Sequence, residues 1–63
     1  MTSYPFQVTS ESREPEYFRN ILDAQLYAGE QSERANEKCF IYDLGWCDDV
    51  PVDLWRNGRA IRT

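Results

Sequence analysis

The chain has 63 residues, 29% of them charged, a net charge of −4, two cysteines and no histidine. That length excludes a second domain, and a chain this short buries only about 60% of the surface its unfolded form exposes. The missing histidines remove the usual base for nucleophilic catalysis, and the acid excess opposes phosphate backbones and anionic lipid.

Residues 1–11 read as an extended arm in which Tyr4 and Phe6 flank Pro5. No basic flank and apolar run of a signal peptide opens the chain, and no stretch has the length of a membrane span. The expected location is the cytoplasm, with no membrane partner. In that reducing compartment Cys39 and Cys47 are expected to be free thiols. A zinc site would need two carboxylates beside them, so no metal and no cofactor is expected.

The run Ser10-Glu-Ser-Arg-Glu-Pro-Glu16 reads as a helix start, with Ser12 or Glu14 as cap and Pro15 in the first turn. The expected helix runs from about 15 to 37 within a helical segment 12–37. At 100° per residue Tyr17, Ile21, Ala24, Ala28 and Ala35 fall on one stripe, which Phe18 and Leu22 widen. Leu26 and Tyr27 lie elsewhere on the wheel, so more than one surface must pack on this helix. Gly29 within it costs about 1 kcal/mol relative to Ala; either the helix is weak there or close packing needs the missing side chain.

Cys39-Phe-Ile-Tyr-Asp43 reads as a short strand, closed by Leu44-Gly45. Two readings stand for the last segment. Asn57-Gly58 predicts a hairpin that sets Leu54 opposite Ile61, Trp55 opposite Ala60, Arg56 opposite Arg59 and Asp53 opposite Arg62. The alternative is a short second helix near 50–56, capped by Asp49 and stopped by Gly58, which would make the chain all-α. The expected fold is therefore a single domain, 1–63, of helix-dominated α+β class: one long amphipathic helix, then a strand and a hairpin in 38–63.

No catalytic constellation appears. Gly29, Gly45 and Gly58 are isolated and make no phosphate loop, and Asp48-Asp49 reads as a turn before it reads as an acid–base pair. Trp46 and Trp55 are each core residues or binding hot spots. Trp55, Arg56, Arg59 and Arg62 form the candidate partner surface, a basic end on an acidic body. Ten of the eleven acids lie between Glu14 and Asp53.

Two stretches, Glu16-Tyr-Phe-Arg-Asn-Ile-Leu-Asp-Ala-Gln-Leu-Tyr-Ala28 and Asp48-Asp-Val-Pro-Val-Asp-Leu-Trp-Arg-Asn-Gly58, resemble the short early proteins encoded between the exonuclease and excisionase genes of lambdoid bacteriophages. The resemblance implies a protein without enzymatic activity, made in a bacterial host. Such a protein biases phage development or disturbs host physiology through a host or phage partner. It carries over no functional residues.

The expectation is thus a binding protein whose partner is another protein. A dimeric DNA-associated regulator using the Arg-rich end is the alternative, and a structural subunit is a third reading. Because the wheel is apolar around most of its circumference, the helix is expected to pair with its mate in a homodimer. The interface would use Tyr17, Phe18, Ile21, Leu22, Ala24 and Ala28, with the two alanines letting the backbones approach.

Overall fold

Phe6, Val8 and Ser10 alternate with Gln7 and Thr9, and this period of two builds a strand, β1 (Phe6–Ser10), where the sequence suggested an unstructured arm. The computed structural model describes residues 5–47 and 49–61. In it β1 lies inside a five-stranded antiparallel sheet of order β2-β1-β3-β4-β5, and one helix, α1, packs on that sheet. The other strands are β2 (Glu16–Phe18), β3 (Cys39–Asp43), β4 (Asp53–Arg56) and β5 (Arg59–Ile61). Strand exceeds helix, 36% against 25%, which corrects the helix-dominated expectation and removes the all-α alternative.

The helix α1 covers Ile21–Arg34, not 15–37. Its first expected turn is taken by β2, where Glu16, Tyr17 and Phe18 pair with Val8, Gln7 and Phe6. Pro15 accordingly precedes a strand instead of opening a helix. The true cap is Asn20, whose Oδ1 accepts the Asp23 backbone N–H at 2.9 Å while its Nδ2 donates to Asp23 Oδ2 at 3.2 Å. That reciprocal pair satisfies an orphan donor of the first turn and places a carboxylate at the positive end of the dipole. At the far end Ala35 N–H still reaches Gln31 O, and Asn36 then turns into the left-handed region at φ 53°, which stops the helix.

The C-terminal hairpin has the expected register: Leu54 faces Ile61, Trp55 faces Ala60 and Arg56 faces Arg59. Arg62 lies outside the described residues. Asn57 and Gly58 have φ of 54° and 77°, the two positive values that a type I′ turn requires. The turn is also tied to the helix. Gly58 N–H donates to Ser32 Oγ at 2.9 Å, and Ser32 Oγ donates to Gly29 O at 3.0 Å.

Val8, Cys39 and Ile41 from the sheet meet Ala24 and Ala28 from the helix in a small core. Phe6, Phe18, Ile21, Tyr27 and Trp55 pack around it, and the Phe18 and Tyr27 rings stand 5.2 Å apart. The helix runs unbroken through Gly29 because of close packing: a Cβ there would lie 3.3 Å from the Trp55 ring. A Cβ at Gly58 would meet the movable Glu33 carboxylate, so its penalty is chiefly the left-handed backbone. Gly58→Ala is expected to cost about 1–2 kcal/mol. In a domain of this size that lowers the thermal midpoint by roughly 4–15 °C, measurable by circular dichroism, whereas Glu33→Ala leaves it nearly unchanged.

Candidate functional site

The sheet covers the Ala24 and Ala28 side of α1 and leaves Leu22 and Leu26 outside. These two leucines sit one turn apart and are 67% and 70% exposed. Beside them the hairpin rises to the level of Gly29, and Trp55 turns one ring edge toward that glycine. The result is a groove of about 820 Å³ between α1 and the β4–β5 hairpin, floored by Leu22, Leu26, Gly29 and Trp55. Glu30, Glu33 and Arg34 line it as well, so its polar rim carries more acid than base.

Trp55 holds the groove's geometry from below. Its Nε1 is buried without a hydrogen-bond partner among the described residues, which costs on the order of 1–3 kcal/mol. The ring is retained by packing, against Gly29 on one side and the core on the other. Next to it Gln25 Nε2 donates to Asp53 Oδ2 at 3.2 Å and closes the β4 end of the groove.

The six residues expected at a helix–helix interface do not form one surface. Ala24 and Ala28 are fully buried in the protomer's own core and are closed to any partner helix. Phe18 and Ile21 pack around that core, while Tyr17 belongs to β2 and is 50% exposed on the sheet. Of the six, only Leu22 stands on the free side of α1, where Leu26, left out of the expected interface, joins it. The candidate partner surface divides in a similar way. Trp55 faces the helix, whereas Arg56 and Arg59, one residue out of phase with Trp55 and Ala60, point to the opposite side of the sheet.

Trp46 is 66% exposed on the turn after β3, where Gly45 N–H donates to Asp43 Oδ1 and the N–H groups of Trp46 and Cys47 donate to Asp43 O. Its exposure goes against the core reading. Asp48 lies outside the described residues, and no group of three acidic or cysteine side chains among those described is placed to hold a metal ion. No described helix is long and apolar enough to cross a membrane. Both cysteines are free, Cys39 buried and Cys47 half-buried.

No family model, curated protein or solved structure matches this chain.

Burial, with the Glu37 carboxylate as the lesser cause, pushes the Cys39 thiol above its ordinary value. Thiol alkylation of the folded protein at pH 8 is therefore expected to label Cys47 and to reach Cys39 only after denaturant, as read by mass spectrometry. The unfolded chain ionises Cys39 first as pH rises, so folding stability falls once pH passes the ordinary thiol range, and Cys39→Ala removes that part of the decline. Trp55→Phe removes the unpaired donor and is expected to change stability by less than about 1.5 kcal/mol, against about 3–5 for Trp55→Ala. Chemical denaturation measures both.

Proposed function

We propose that this protein is a non-enzymatic regulator that captures another protein in the groove between α1 and the β4–β5 hairpin. The observation that carries the reading is the exposure of Leu22 and Leu26 at 67% and 70% on the wall of an otherwise formed apolar groove. Contiguous apolar surface on so small a body calls for an occupant. The groove suits an amphipathic segment whose apolar side chains enter between Leu26 and Trp55 and whose basic residues meet Glu30 and Glu33.

The resemblance to early proteins of lambdoid phages supports a host or phage protein as that partner and a bacterial cytoplasm as the setting. The acidic body and the lack of histidine agree with binding in preference to chemistry. A second copy of the chain is the competing occupant, because Leu22 and Leu26 lie on the one helical face that the sheet leaves free.

Leu22→Asp with Leu26→Asp tests the reading without entering the core. The expected result is an unchanged fold by circular dichroism and at least a tenfold loss in capture of the partner from bacterial lysate, with nuclease making no difference. Equal capture by the wild type and the variant defeats the proposal. Sedimentation of the wild type over a dilution series separates the two occupants: a dimer that the same variant dissociates assigns the groove to a second copy.

A further inference from the structure

The side of the sheet away from α1 carries no helix. Residues paired across antiparallel strands share a face, so the register places Tyr17, Gln7 and Tyr42 in one row. Thr9, Phe40, Leu54 and Ile61 form the next row, and Arg56 and Arg59 close the face at the hairpin end. The side chains in the opposite phase, Val8, Cys39, Ile41 and Trp55, are the ones in or against the core, which fixes the assignment. Gln7 Nε2 donates to Tyr17 Oη at 3.0 Å across the outer row.

Charge is sorted between the two sides of this sheet. The strand acids Glu16, Asp43 and Asp53 pair with Val8, Phe6 and Ile41, and so belong to the helix side. Every charged strand residue on the open side is an arginine. Arg56 and Arg59 stand directly opposite each other, an arrangement that like-charge repulsion disfavours and a bound anion would reverse. Together with Asn57 and Ile61 they line a second hollow of about 620 Å³.

We propose that this open face binds single-stranded nucleic acid, with a phosphate held between Arg56 and Arg59 and bases stacked on Phe40, Tyr42 and Tyr17. Aromatic side chains beside a cationic track are what an unpaired strand requires, because every base has a face to stack and every nucleotide a phosphate to neutralise. Tyr17 is 50% exposed, and Phe40 and Tyr42 are half-buried within the sheet surface, open on one side. The acids on the other layer keep a duplex from wrapping the body and confine anion contact to this side.

A second copy fits the face less well. A two-fold interface must be self-complementary, and two such faces would bring together arginine pairs with no strand carboxylate between them. Five strands at about 4.8 Å spacing span only about 19 Å. A face that narrow falls short of the roughly 800 Å² per partner that a standard protein interface buries. An acidic protein segment would satisfy the arginines and leave the aromatic rows unused.

The test is fluorescence anisotropy with labelled single-stranded DNA and RNA of about twelve nucleotides, a length within the range of such platforms. Both are expected to bind at low salt, with the matching duplex at least tenfold weaker. Arg56→Gln with Arg59→Gln is expected to weaken binding about tenfold or more and to reduce the slope of log affinity against log salt by about 1.4, some 0.7 for each lost phosphate contact. Tyr42→Ala is expected to lose about tenfold with the slope unchanged. Circular dichroism confirms the fold of each variant, and Tyr17→Ala, at an exposed edge strand, repeats the stacking test if Tyr42→Ala unfolds. Absence of binding at low salt, equal binding of duplex, or arginine variants with an unaltered salt slope overturns the proposal. Polyglutamate competing as well as the unlabelled strand also overturns it, in favour of an acidic protein. Since this face is remote in phase from Leu22 and Leu26, their substitution leaves oligonucleotide binding intact, and the groove reading stands or falls separately.

Discussion

The structure depends on the close approach of α1 to the sheet, which three residues with almost no side chain make possible. Ala24 and Ala28 lie directly over Val8, Cys39 and Ile41, and Gly29 receives the Trp55 ring. A larger residue at any of these positions would lift the helix and open the core. The same approach brings Ser32 within reach of the hairpin turn, so that the Gly58 N–H, otherwise left among buried groups, finds an acceptor. One short contact zone thus joins the helix, the central strand and the C-terminal hairpin.

Because the helix sits so low and is only 14 residues long, it cannot cover five strands. Two consequences for binding follow. On its own outer side it exposes the leucines that a second layer would have buried, and the hairpin makes a wall for them. On the other side of the sheet a whole face is left to solvent or to a ligand. The two surfaces differ in chemistry: the groove is apolar with an acidic rim, and the open face is aromatic with a basic end.

The parts of the fold with strong local signals were legible in the sequence. Asn57-Gly58 specified both the turn and the register of the hairpin, since few other dipeptides accept two positive φ values in succession. Cys39-Phe-Ile-Tyr-Asp43 was readable as a strand from its β-branched and aromatic content. The N-terminal half was misread where two periods coincide. Tyr17, Ile21, Ala24 and Ala28 satisfy a helical stripe, yet Tyr17 is paired with Gln7 in a strand and the stripe begins only after Asn20. The signal for the true start was present in Asn20-x-x-Asp23, but Pro15 with its flanking glutamates offered a competing start of the same kind. The alternation in Phe6-Gln-Val-Thr-Ser10 was also available, and so short a run gains its meaning only from the partners β2 and β3 that lie on either side of it.

The candidate site was less legible than the fold, for a geometric reason. In sequence Trp55, Arg56 and Arg59 look like one cluster, but a strand sends successive side chains to opposite sides. Trp55 therefore becomes the inner wall of the groove, and Arg56, its immediate neighbour, becomes part of a surface with the opposite charge and a different kind of ligand. Sequence proximity said only that these residues share a hairpin. The helix shows the converse, since Leu22, Leu26 and Trp55 are separated by up to 33 positions and still meet in one concave surface. Periodicity can sort residues into faces, but it cannot say which faces the rest of the chain will leave uncovered. In a domain with one helix and five strands, that remainder is where binding takes place.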